Sequence, residues 1–223
     1  LTSLRTNLDL LAQSDAAGDR GLAAGDRAAL LADVRAQIEE LSGLVADLVE
    51  LARDDAPNAG FEDVELAAVV ERAIERVRRR APALHFEIEL DSWIVHGDAN
   101  SLERAVTNLL DNAVKWSPPN GRVFVRLRGG RLQVADEGPG IADADLPHVF
   151  DRFYRSTDAR AMPGSGLGLA IVKRAASLHA GSVSAGRAGT GGALMVLELP
   201  GRPSTESVWP DDVGISDDPA ISQ

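Results

Sequence analysis

Apolar residues recur at alternating spacings of mostly three and four over Leu31, Val34, Ile38, Leu41, Val45, Leu48 and Leu51. That heptad-like stripe predicts a helix with one apolar seam. Upstream, Leu1, Leu4, Leu8 and Leu11 share a face of a second helical stretch. The Gly, Asp and Ala run around Gly18 to Gly25 reads as the loop between them. The expected unit, residues 1–55, is a helical hairpin too thin to bury its own stripe. A second copy would complete a four-helix bundle and make the chain a homodimer.

Pro57, Asn58 and Gly60 mark a linker over 56–60. From 61 to 200 both periods occur. Val64 to Arg80 reads as helix, and Phe86, Ile88 and Leu90 alternate with acidic residues as in a half-buried strand. Ser101, with Asn100 before it, is the expected N-cap of a helix running to Lys115. Val123, Val125 and Leu127 form a strand, joined through Gly129-Gly130 to another at Leu132 to Ala135. Ile141 to Gly164 lacks a period and reads as a long loop. Leu167 to Leu178 is helical, and Ser182 to Ala185 and Leu194 to Leu199 close the sheet. The expected class is α+β, a two-layer sandwich with helices on one face of a mainly antiparallel sheet. Residues 201–223, rich in Ser, Pro and Asp, read as a disordered acidic tail.

The net charge of -11 argues against broad attraction to nucleic acid or to an anionic membrane. Without cysteine there is no disulfide framework, thiol nucleophile or thiolate metal site. No apolar run is long enough to span a bilayer, and no secretory signal pattern opens the chain.

The chemistry concentrates in four places. On the Ser101–Lys115 helix, Asn108, Asn112 and Lys115 fall within roughly 60° of one another, opposite Leu102, Val106, Leu109, Leu110 and Ala113. Amide oxygens can ligate Mg²⁺ while the metal keeps waters and phosphate oxygens, and the lysine can neutralise phosphate. An ordinary solvated face fits the same pattern. Asp136-Glu137-Gly138-Pro139-Gly140-Ile141 follows a strand; its first carboxylate can accept from an adenine amino group, or the segment is a plain turn. Phe150-Asp151-Arg152-Phe153-Tyr154-Arg155 offers two aromatic pins for a loop and arginines able to reach a terminal phosphate. It also reads as a surface aromatic cluster. Gly164-Ser165-Gly166-Leu167-Gly168-Leu169 leads into a helix whose N-terminal N–H groups favour phosphate.

In this order the four segments resemble the N box, first glycine box, F box and second glycine box of histidine kinases of the GHKL ATPase superfamily. The resemblance covers roughly residues 1 to 200. It implies a GHKL-type sandwich binding ATP and Mg²⁺, with Asn108 and Asn112 on the metal and Lys115 on phosphate. Trp116 would stack on the nucleotide where the family often has tyrosine. Asp136 would read adenine, Gly138, Gly140 and Ile141 would shape the base pocket, and Arg155 would reach the phosphates from a lid. Gly164, Gly166 and Gly168, with Leu167 and Leu169, would hinge that lid and cradle phosphate. Asn108, Lys115 and Arg155 would be the catalytic residues. Gly189 to Gly192 resembles a last glycine box, with Ala193 where Ser or Thr often stands.

Leu1-Thr-Ser-Leu-Arg-Thr resembles the stretch just after the family's His-Glu-Leu-Arg-Thr-Pro acceptor segment. The phosphorylated histidine is therefore expected upstream of Leu1. His85, His96, His148 and His179 are expected to be structural or solvated. The implied activity is ATP-dependent phosphorylation of a protein histidine, followed by transfer to an aspartate of a response-regulator receiver domain. Such a chain would bind Mg-ATP without phosphorylating itself. It would be the cytoplasmic portion of an integral membrane protein. A non-catalytic nucleotide-binding dimerisation module and an anti-sigma-factor-type serine kinase are the alternatives.

Overall fold

The computed structural model describes residues 2–16, 23, 25–35, 38, 60–157, 159, 162 and 164–204. Two helical stretches open it: α1 (Thr2–Ala16) and α2 (25–35). Leu11 and Val34 are buried, whereas Leu31 and Ile38 of the predicted seam stay exposed. The seam from Leu41 onward, the linker positions 56–59 and the tail 205–223 lie outside the described residues.

The remaining elements run β1 (Glu62–Glu65), α3 (Leu66–Arg80), β2 (His85–Leu90), β3 (Ile94–Gly97), α4 (Ala99–Trp116), β4 (Arg122–Arg128), β5 (Arg131–Ala135), α5 (Gly168–Leu178), β6 (Ser182–Arg187) and β7 (Ala193–Glu198). β1 and β3 form a small antiparallel sheet. The main sheet has five strands in the order β2-β4-β5-β7-β6, parallel only between β2 and β4. Val123, Val125, Leu127, Leu132, Val134, Met195 and Leu197 point inward and alternate with outward residues such as Arg122, Arg126 and Arg131. Gly129 and Gly130 both have positive φ (53° and 76°), the pair of conformations a two-residue hairpin turn demands.

Helices α3, α4 and α5 share one core with that inward face. α3 buries Leu66, Val69, Val70, Ala73, Ile74 and Val77, a helical spacing, and ends in three arginines that suit the negative end of its dipole. α4 buries Leu102, Val106, Leu109, Leu110 and Ala113, the five residues expected on its core face. Each such leucine, fully withdrawn from water, contributes about 1.5–3 kcal/mol.

Three boundaries differ from the sequence reading. Val64 and Glu65 end a strand rather than begin the helix, because Glu65 caps α3: its carboxylate accepts from Ala67 N at 3.3 Å and from Trp93 N at 2.9 Å. The cap of α4 is Asp98, whose Oδ1 takes the N–H groups of Asn100 and Ser101 at 2.9 and 3.4 Å. Ser101 is instead buried inside the helix. Ordered pairing also continues past residue 200, as an isolated bridge to β3 of the small sheet. Arg202 exchanges backbone bonds with Ile94, and its guanidinium meets Asp63 at 2.6 Å.

Candidate functional site

α4 turns its polar stripe toward a cavity of about 520 Å³ between the sheet's inner face, α5 and the 141–164 loop. Asn108, Asp111, Asn112, Lys115 and Trp116 line it from the helix. The Asn108 amide has a defined orientation. Its Nδ2 donates to Arg104 O at 2.9 Å, a carbonyl that can only accept, so the amide oxygen faces away. That oxygen lies against Gly168, where a Cβ would approach it to 2.6 Å. A satisfied nitrogen and an outward oxygen beside a residue without a side chain suit a metal ligand. Among the described residues no cluster of His, Cys, Asp or Glu could hold a metal by itself. A cation here would need phosphate oxygens to complete its shell. Lys115 has its ammonium 5.5 Å from the Trp116 ring centre. Burial, and secondly the Arg155 guanidinium, pull its pKa below the usual lysine value.

Asp136, just past the end of β5, forms the opposite end of the cavity and is 2% exposed. Its Oδ1 accepts from Gly138 N at 2.9 Å and Ala193 N at 3.0 Å, and its carbonyl takes the Thr190 hydroxyl at 3.0 Å. Both carboxylate bonds go to one oxygen, so Oδ2 can receive a ligand's donor. Burial raises the Asp136 pKa, against the two backbone donors that lower it. The neighbouring Glu137 turns outward, gripped by Arg122 through its backbone N–H, Nε and Nη2 at 3.0, 2.9 and 2.7 Å. Of the two adjacent acids, only Asp136 lines the cavity. Glycine is required around it. A Cβ on Gly192 would overlap the Asp136 carbonyl, and one on Gly138 would meet the Trp116 carbonyl.

The lid supplies the third wall. Phe150 packs on the core, but Phe153 does not pin the loop: it is 61% exposed, with φ of 63°. Arg155 lines the cavity, and its Nη2 donates to the carbonyls of Ala159 and Met162 within the lid. Gly164 lies beside Lys115, with 3.2 Å between the ammonium and the place a Cβ would take. Gly166, at φ 74°, lies against the backbone of Phe153 and Tyr154. α5 begins without a side-chain cap on its own N-terminal residue, while Ser165 Oγ takes Leu167 N at 3.1 Å.

One cavity thus joins a buried carboxylate at one end to two amides, a lysine and an arginine at the other. This arrangement can hold a molecule with an amino-bearing heterocycle and a polyanionic tail. The profile described as "Histidine kinase-, DNA gyrase B-, and HSP90-like ATPase" matches residues 97–203. A solved structure titled "Mycobacterial sensor histidine kinase MprB" is 47% identical, with 100% of that chain and 64% of this one covered at a TM-score of 0.61. The chain belongs to the sensor histidine kinase family. The signal transduction histidine-protein kinase/phosphatase MprB of Mycobacterium sp. (strain KMS) is 53% identical over 214 residues. The match takes in 92% of this chain and 42% of that relative. Full-length ShkA, solved in complex with AMPPNP, aligns with 91% of this chain and 45% of its own at 27% identity and a TM-score of 0.66.

With the family in hand, the residues expected at the site sort clearly. Asn108, Asn112, Lys115, Trp116, Asp136, Gly140, Ile141, Arg155, Gly164, Gly166, Gly168 and Leu169 all line the one cavity. Gly138 stands behind it, under Asp136. Leu167 faces away, fully buried with Ala170 and Ile171. Sequence reasoning passed over Asp111, Asp145, Tyr154, Arg187 and Met195, which also line it. Met195 and Arg187 were findable, because strand alternation places them on the inner face with Ala193. No histidine lines the cavity among the described residues. His179 is buried between Asp98 N (3.0 Å to Nε2) and Ala175 O (2.7 Å from Nδ1), and burial lowers its pKa. No described helix is long and apolar enough to cross a membrane.

Proposed function

We propose that the chain is the ATP-binding and dimerisation part of a sensor histidine kinase. It presents ATP so that the γ-phosphoryl passes to a histidine imidazole, then to an aspartate of a response-regulator receiver domain. The full-length protein would be membrane-anchored, with this part on the cytoplasmic side. The observation that carries the reading is the convergence of Asp136, Asn108, Asn112, Lys115 and Arg155 on a single cavity. Asp136 Oδ2 accepts from the adenine amino group, and Trp116 and Met195 flank the base. Asn108 and Asn112 would hold Mg²⁺ by their amide oxygens; the metal would neutralise charge on the β- and γ-phosphates. Lys115 and Arg155 face the same charge. With little covalent chemistry for the protein to perform, placement and neutralisation supply most of the rate.

Calorimetry on the chain is the first test. Mg-ATP should bind, and the double substitution Asn108→Ala, Asn112→Ala should abolish magnesium-dependent binding. The second test supplies a separate protein carrying a His-Glu-Leu-Arg-Thr-Pro segment. Acid-labile label from γ-labelled ATP should appear on that protein. Acid-stable label would reassign the chain to serine transfer, and tight binding with no transfer would leave a nucleotide-binding scaffold.

A further inference from the structure

The lid holds a side-chain bond that the residues discussed so far do not account for. Tyr154 OH donates to Asp145 Oδ1 at 2.7 Å, and both residues line the cavity. Asp145 is a fixed anchor. Its N–H donates to Ala142 O at 2.8 Å, and its carbonyl accepts from His148 N and Val149 N at 2.9 and 3.1 Å. The Tyr154 ring lies 5.4 Å from the His148 ring. On the other side, Phe153 N donates to Gly166 O at 2.9 Å, which ties the lid's first limb to its last. Arg155 follows directly, so its backbone leaves from a clamped residue while its guanidinium is held further on by lid carbonyls.

We propose that Tyr154 is a positioning residue: clamped to Asp145, it sets the backbone from which Arg155 reaches the terminal phosphate. The proposal rests on the ATP-binding reading above and adds the origin of preference for the triphosphate. Phe153 fits the same device. A non-glycine residue at φ 63° is a strained conformation that surrounding structure must over-determine, and here the Tyr154 and Gly166 bonds on either side do so.

The test compares Mg-ATP, Mg-ADP and adenosine by calorimetry on the whole chain. Tyr154→Phe keeps the ring and removes only the hydroxyl. It should weaken Mg-ATP about tenfold, the effect of one lost hydrogen bond, and leave adenosine unchanged. Asp145→Ala should match it, and the pair of substitutions together should cost no more than either alone. Asp145→Asn still offers an oxygen to the phenol and should stay near the parent. Adding Tyr154→Phe to Arg155→Ala should cost nothing further. If the parent binds all three ligands but Tyr154→Phe leaves the ATP-to-ADP ratio untouched, or weakens adenosine as much as ATP, the positioning role is wrong while the nucleotide reading stands. If Asp145→Asn is as damaging as Asp145→Ala, carboxylate charge rather than the clamp is responsible and the proposal fails. A parent that binds no nucleotide overturns the reading beneath it.

Discussion

The two ends of the cavity are built by opposite means. At the Asp136 end, the carboxylate proposed to read the base is almost wholly buried, and main-chain donors hold it. At the Arg155 end, side chains on a helix and a loop face one another, and burial first and the Arg155 charge second disfavour the Lys115 ammonium. The first end is preorganised by folding and the second by charge. At the first end one carboxylate oxygen ties recognition to stability, while the other is left to the ligand. Charge held on a lid separates recognition from stability at the second.

That contrast makes Asp136 the position of largest effect. Asp136→Ala strands the part-buried Gly138 and buried Ala193 N–H groups, each worth up to about 1–3 kcal/mol when left unpaired. Stability and ATP binding should fall together, with binding lost beyond detection. Asp136→Asn retains an acceptor for those two donors but can present an amino group to the base. Its melting temperature should stay close to the parent's, while ATP affinity drops roughly a hundredfold, about 2.7 kcal/mol. A stable Asp136→Ala chain would show that the base end is not part of the fold's support.

A glycine pair sharpens the comparison at the next level. Gly192→Ala drives a methyl into the Asp136 carbonyl. It should lower stability by about 1–3 kcal/mol as well as affinity, since backbone must give way. Gly166→Ala meets Phe153 and Tyr154 backbone at 2.8 Å with φ of 74°, at a conformational cost of about 1–2 kcal/mol. Because the lid adds little to the core, its loss should appear mainly as ATP affinity, several-fold down, with a melting curve near the parent's. Equal unfolding by both substitutions, followed by circular dichroism, would erase the distinction.

The same division explains what the sequence made legible. α4's stripe was readable because a long helix repeats its period often enough to separate Asn108, Asn112 and Lys115 from Leu102, Val106 and Leu109. Gly138 and Gly140 were readable because chain reversal leaves a compositional mark. β1 and β3 were not, since four residues with a single buried valine each, Val64 and Val95, make no period; only their mutual pairing defines them. The cap of α4 was misplaced by three residues because serine and aspartate are both good caps, and burial of Ser101 decided between them. The Tyr154–Asp145 bond was hidden for another reason. Two polar residues in a loop without a period acquire meaning only when the fold brings them within hydrogen-bond reach.

The smallest predicted effect tests the charge-built end directly, through pH. Lys115 carries a lowered pKa from burial first and Arg155 second. A depressed lysine binds fewer protons in the folded chain than in the unfolded one. Between its folded value and the ordinary lysine value, stability should therefore rise with pH as an unwelcome charge is shed. Phosphate binding has the opposite sign. In the proposed binding mode the ammonium meets the phosphate, so ATP affinity should fall as pH climbs through the lowered pKa. Arg155→Ala removes the second cause and leaves the first. The alkaline decline in ATP affinity should then begin at higher pH than in the parent, although affinity at neutral pH is weaker for want of the guanidinium. ATP titrated from pH 7 to 10 on both proteins separates the shift from the loss. A decline that keeps its position in Arg155→Ala would mean the two cations do not sense each other, and that burial alone sets the Lys115 end.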